Sequence, residues 1–122
     1  MFVIDENTGD LTLHQGDTGE YTITDLPEDM NGESIYFEVR DAKRKTVGAP
    51  IPSIIEKQIA VFKFNKSLTD LFTVKLKEET AEYQGGIKIC TKAGDEETVK
   101  VGNKADGENI VITVYPKIVE GE

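Results

Sequence analysis

The chain has 122 residues with a formal charge of −9, one cysteine (Cys90) and one histidine (His14). That length makes a single domain, residues 1–122, large enough to bury a core without disulfide staples, while one Cys and one His are too few for the usual Cys/His zinc sites. The acidic balance argues against nucleic acid and anionic membranes as partners, because both need a basic face, and no apolar run approaches the ~18 residues that cross a bilayer. The start, MFVIDENTGD, has neither the basic segment nor the apolar stretch of a signal peptide, so synthesis in the cytoplasm is expected.

In chain order, the first signal is DENTGD, residues 5–10. Asp5 and Asn7 stand at calcium-loop spacing, but the Gly comes one position early and no Glu follows at position twelve, so a turn is expected. LTLH then alternates, with Leu11 and Leu13 on one face. HQGDTGEYTI contains Asp17-Thr18-Gly19, the tripeptide of aspartic proteases, which pair two such carboxylates over a shared proton. The residues before Asp17 are Gln15 and Gly16 where those proteases carry an apolar pair, and Glu20 adds negative charge where a proton must be kept. A turn between strands is the expectation, with Gly16 and Gly19 supplying left-handed φ and Asp17 bonding local N–H groups.

Further strands are expected in GEYTIT (Tyr21, Ile23) and in SIYFEVRD, where Ile35, Phe37 and Val39 face inward and Tyr36, Glu38 and Arg40 outward. RDAKRKTVG reads as a charged hairpin tip. In VGAPIPSIIEKQ, Pro50 and Pro52 confine any strand to an edge, because proline cannot donate to a ladder. IAVFKFN places Ala60, Phe62 and Phe64 on one face. In NKSLTDLFTVKLKEE, by contrast, Leu68, Leu71 and Phe72 are spaced i, i+3, i+4 after Ser67, a possible N-cap, which predicts a short helical crossover between two sheets; Val74 and Leu76 resume an extended course.

YQGGIKIC contributes Ile87 and Ile89, with Gly85-Gly86 marking a bulge or a close backbone approach. Tyr83 invites comparison with a tyrosine corner but precedes Cys90 by seven positions where that motif has two. KAGDEET is a turn leading to ETVKVG (Val99, Val101). Asp95, Glu96, Glu97, Asp106 and Glu108 gather carboxylates near one hairpin end that could bind a divalent cation weakly, with a solvated loop as the default reading. NIVITVYP closes the pattern with Ile110, Ile112 and Val114 on one face and Pro116 as the stop. Seven alternating segments without a long helix predict an all-β, immunoglobulin-like β-sandwich with one short helical crossover.

No nucleophile, base or metal set emerges from these segments, so neither catalysis nor a cofactor is expected. The charge is unevenly spread: residues 1–41 hold eleven acids and one Arg, −10, and residues 42–122 hold twelve acids and thirteen Lys or Arg, +1. Such polarity suits docking on a basic partner or head-to-tail stacking of copies. The expected partner contacts are Asp25, Glu28, Asp29 and Glu33.

The order LTLHQGDTGEYTI, MNGESIYFEVRD, YQGGIKIC, GDEETVKVG, NIVITVYPKIVEG, spanning about residues 9–119, resembles virion proteins of phages of Gram-positive bacteria, in particular the N-terminal β-sandwich domain of baseplate upper proteins. The resemblance implies a non-enzymatic tail, baseplate or head accessory component located in the virion. Its partners would be other virion proteins and copies of itself, with no small-molecule substrate. Since the sequence ends at Glu122 without the stalk and receptor-binding parts that usually follow, a free-standing adaptor, decoration or ring component is expected. The alternative is a small acidic inhibitor that mimics nucleic acid, against which stand the lysines interleaved from Lys43 onward, because a mimic needs carboxylates spaced along one face.

Overall fold

The computed structural model describes residues 2–24, 34–56, 58–75, 77–90, 96–99 and 110–116. Within them the chain is all-β apart from one helical turn. The strands are β1 (Phe2–Ile4), β2 (Leu11–His14), β3 (Gly19–Ile23), β4 (Ser34–Arg40), β5 (Ile51–Glu56) and β6 (Ile59–Phe64), then helix α1 (Lys66–Thr69), then β7 (Ala81–Cys90), β8 (Glu96–Val99) and β9 (Ile110–Tyr115).

Each expected alternating segment forms a strand where it is described, Val101 of ETVKVG lying outside the described residues, and two further strands, β1 and β5, raise the number to nine among the described residues. Three residues are too few for β1 to show a period. The two prolines suggested an edge for β5, yet this strand pairs on both sides. Ile51 and Pro52 pair with Phe37 and Tyr36 of β4, and from Ser53 onward the strand pairs with β6. Proline is tolerated because it falls where the strand changes partner.

Eight strands follow one path, β1-β2-β9-β7-β4-β5-β6-β3, while β8 pairs with the far half of β7. β2 and β9 run parallel; the other pairs are antiparallel. The path bends at β5, so that β3 and β6 face β2, β9, β7 and β4 across the core. Its two ends nearly meet, because the Phe2 ring of β1 packs edge-on against Phe64 of β6 at 5.4 Å and covers Gly19 of β3. Gly19 is therefore needed for the approach of Phe2, where a β-carbon would overlap the ring; its φ is not left-handed.

Strand alternation buries Leu11, Leu13, Tyr21, Ile35, Phe37, Val39, Ala60, Phe62, Phe64, Ile87, Ile110, Ile112 and Val114 in one cluster. Phe37 lies at its centre, edge-to-face with Tyr21 (5.1 Å), Phe62 (5.7 Å) and Phe64 (5.0 Å), three rings from the opposite strands. Such ring pairs add ~0.5–1.5 kcal/mol each beyond the area they bury. Room for Phe37 comes from Gly85 on β7, where a β-carbon would stand 2.7 Å from the ring. Pairing of β4 with β7 runs unbroken through Gly85 and Gly86, so the expected irregularity is a close approach and not a bulge.

The crossover from β6 to β7 is capped by Asn65, not Ser67. Asn65 Oδ1 accepts the Leu68 N–H at 2.9 Å, while the Ser67 hydroxyl donates to the same oxygen. Leu68 and Phe72 are buried; Leu71, expected on the same face, is 50% exposed because the helix stops at Thr69 and the chain turns. Tyr83 holds the crossover down: its hydroxyl donates to the Thr73 carbonyl at 2.8 Å and its ring lies on Phe72. The spacing to Cys90 gave no hint of this, since that cysteine is half-buried at the far end of β7.

Up-and-down connections sort the loops to two ends. One end carries the β2–β3 turn, the loop after β4 and the α1 crossover; the other carries the β1–β2 turn, the ends of β3, β5 and β7 and the starts of β4, β6 and β8.

Adjacent glycines make a sharp test of this packing. Gly85→Ala is expected to lower stability by about 1–3 kcal/mol through overpacking against Phe37. Gly86→Ala, which meets nothing within 4 Å, is expected to be neutral or slightly stabilising. Urea denaturation of the two variants checks both.

Candidate functional site

The Asp17-Thr18-Gly19 stretch is a turn. Gly16 has φ +87°, the Asp17 N–H donates to the His14 carbonyl at 3.0 Å, and Asp17 Oδ2 accepts the His14 N–H at 3.3 Å. The carboxylate thus serves its own turn, as expected. His14 is half-buried, with its ring 5.4 Å from Tyr115 and Nδ1 3.8 Å from Asp17 Oδ2. The Gln15 side-chain amide donates to the Asp70 carbonyl at 2.9 Å, tying this turn to the crossover.

DENTGD is likewise a turn, built by its own carboxylates. Asp5 Oδ1 accepts the N–H groups of Asn7 (2.8 Å) and Thr8 (3.1 Å), and Asp10 Oδ1 accepts the Val111 N–H at the start of β9. A buried hydroxyl anchors it from below: Tyr21 Oη donates to the Gly9 carbonyl at 2.6 Å. Burial, and secondarily the charge of Asp10, push the Tyr21 phenol well above its ordinary pKa. This anchor was invisible in the sequence, where Tyr21 is one more inward strand residue.

Asp25, Glu28, Asp29 and Glu33, the expected partner contacts, lie outside the described residues, as do Asp95, Asp106 and Glu108; Glu96 and Glu97 occupy β8. Among the described residues no three His, Cys, Asp or Glu side chains converge as a metal ion requires, and no helix is long and apolar enough to cross a membrane.

Two surfaces stand out. The first is on the wall. Where β5 leaves β4 for β6, a groove of about 460 Å³ opens beneath Gly48–Pro50 and α1, lined by Ala49, Pro50, Pro52, Ile54, Leu68 and Leu71 among others. Ile54 and Leu71 on its rim are 54% and 50% exposed. A smaller hollow between Tyr36, Glu38, Pro50, Lys88 and Cys90 adjoins it at Pro50. Ile54 and Leu71 are seventeen positions apart, and only the fold brings them together; the run Ile51-Pro52-Ser53-Ile54-Ile55 was the one sequence hint.

The second surface is at the end that carries the loop after β4. Asp41 builds that loop: its Oδ1 accepts the N–H of Lys43 (2.8 Å) and of Lys45 (2.9 Å), while Arg44 takes a left-handed φ of 66°. The consequence is three consecutive exposed cations at one tip. A groove of about 520 Å³ between this loop and the end of the crossover is lined by Lys43, Lys45, Lys75, Glu78 and Glu82, with Tyr83 at its base.

No protein-family profile matches the chain, and no curated protein or solved structure is similar to it.

Two expectations follow for these turns. A phenol held neutral by the fold gives stability that is complete below the unfolded pKa near 10 and is lost as pH rises from there through the higher folded value, because the unfolded chain releases its proton first. The urea midpoint should therefore fall above about pH 10, and fall less in Tyr21→Phe, which at neutral pH loses about 1 kcal/mol with its hydrogen bond. Removing the carboxylate in Asp41→Ala should cost about 1–2 kcal/mol, and Asp41→Asn, which keeps an acceptor oxygen, should recover most of it; thermal melts of the pair check this.

Proposed function

We propose that the chain is a non-enzymatic structural component of a phage particle, a tail, baseplate or head accessory protein that works through protein–protein contacts. The domain is read as an immunoglobulin-like sandwich. Supporting that reading are the parallel β2–β9 pair, β7 held between β9 and β4, the second layer β3-β6-β5, and a crossover from β6 to β7 pinned by a tyrosine at the start of the strand. Placement in a virion rests on the order of sequence motifs, which resembles that of baseplate upper proteins.

The observation that carries assembly is the wall groove. Ile54 and Leu71 stand half-exposed on one rim beside Pro50 and Pro52, an apolar strip on an otherwise strongly charged chain. Exposed apolar groups gathered in one place mark contact surfaces, since scattered ones would give no concave strip. A neighbouring virion subunit is the proposed occupant.

Mass spectrometry of purified particles, with copy number, tests this. A stoichiometry in multiples of three, five or six supports a ring or shell component; absence from particles, with the chain present in infected-cell lysate, overturns the proposal and favours a small acidic inhibitor. In particles, Ile54→Asp combined with Leu71→Asp should reduce incorporation by about tenfold or more, because a buried charge without a partner is costly, while the isolated domain keeps its circular dichroism spectrum.

A further inference from the structure

β5 and β6 depart from the alternation of the strands around them. The outward positions of β3, β4 and β7 carry Glu20 and Thr22, Glu38 and Arg40, Gln84 and Lys88. β5 and β6 bury Ile51, Ala60, Phe62 and Phe64 on the inner side, yet they carry Pro52, Ile54, Ile59 and Val61 on the outer one. Strands that are apolar on both sides are, as a rule, strands covered on both sides. In the ladder Ile54 stands opposite Val61, which makes this pair the middle of the outer face. Two features flank it along β6, each two residues or about 7 Å away. Toward the start of the strand Ile59 projects, 41% exposed. Toward its end, at Lys63 and Pro52, the β5–β6 ladder has already parted beyond Ser53 and Phe62, and the wall groove opens. A projection and a recess thus lie on one face at equal distances from its centre.

We propose that the outer face of β5 and β6 packs, antiparallel, on the same face of a second copy, about a two-fold axis that crosses the strands at Ile54 and Val61. The inference rests on the assembly reading above and names the neighbouring subunit as a second copy. What selects a copy of the same chain is the spacing: rotation about that axis sets Ile59 of each chain over the groove of the other, against Pro52 and Leu71, so the face completes itself. The contact is isologous and closes at a dimer. Sheets packed face to face lie about 10 Å apart, with side chains of both filling the gap. Across it Lys63 of each copy reaches Glu56 of the other. Glu20 stands opposite Lys63 within each copy, so the face carries no positive excess. The ion pairs therefore set the direction of packing, and apolar burial supplies the affinity. Turning one copy the other way brings the two Lys63 side chains together and leaves both grooves unfilled.

Sedimentation velocity of the full chain from about 10 μM to about 1 mM tests this, the range in which small interfaces associate. A monomer–dimer equilibrium without larger species is expected. It should be as tight or tighter at about 500 mM salt as at about 50 mM, because screening relieves the repulsion between chains of formal charge −9. Ile59→Asp, at an exposed position outside the groove's lining, should weaken the dimer by about tenfold or more while the circular dichroism spectrum is kept. Lys63→Glu and Glu56→Lys should each weaken it by about threefold, and the two together should restore it, because each position meets the other across the axis. A monomer throughout the range overturns the inference, and so does growth beyond a dimer, a dimer indifferent to Ile59→Asp, or a double exchange that fails to restore it. Finding the chain in particles while it sediments as a monomer removes the pairing and leaves the virion reading standing. An Ile59-dependent dimer of a chain absent from particles does the opposite.

Discussion

The ring of Phe37 is the contact on which the two layers depend. It projects from β4 into three aromatic rings of β3 and β6, and it can do so only because Gly85 on β7 presents bare backbone beside it. A similar arrangement recurs at the seam, where Phe2 covers Gly19. At both places a large ring fills the volume that a missing side chain leaves. The layers are thereby fixed in register, and with them the positions of every loop.

Once the layers are fixed, up-and-down wiring divides the loops into two sets, and each set builds its own geometry from its own carboxylates. Asp5 and Asp10 shape one end, Asp17 and Asp41 the other. Aspartate is suited to this because its short side chain reaches backbone N–H groups two to four residues away, as at Asp5, Asp17 and Asp41, while Asp10 reaches across to Val111 of β9. The wall differs in kind: its groove arises where β5 changes partner at Pro52, a break in the ladder that the packing of α1 covers only in part.

Much of the fold was legible in residue order. Alternation in Ile35-Phe37-Val39, Ala60-Phe62-Phe64 and Ile110-Ile112-Val114 specified inward faces, because a strand's period of two leaves no freedom once one face is buried. Besides the left-handed φ expected of Gly19, three readings failed for local reasons. The segment around Pro50 and Pro52 looked like an edge because a strand that switches partners has no signature in a list of residues. The cap was assigned to Ser67, yet Asn65 Oδ1 accepts the Leu68 N–H and starts the helix two positions earlier. Leu71 fitted a helical period that the chain leaves at Thr69. The tyrosine anchors were missed for a different cause: Tyr21 and Tyr83 bond to carbonyls twelve and ten residues away, and nothing in the sequence identifies a carbonyl that lacks a donor.

By itself, then, the sequence determined the class of structure, the inward faces, the turn at Asp17 and the surplus of negative charge in its first third. These are properties of periodicity, of short-range hydrogen bonding and of composition, all of which act within a few residues. Tertiary structure alone decided which charges share an end, that Ile54 and Leu71 rim one groove, and that Gly85 and Gly19 exist to admit phenylalanine rings. Those outcomes depend on strand order and on the bend at β5, where contacts between residues far apart in the chain are settled by the packing of the whole core.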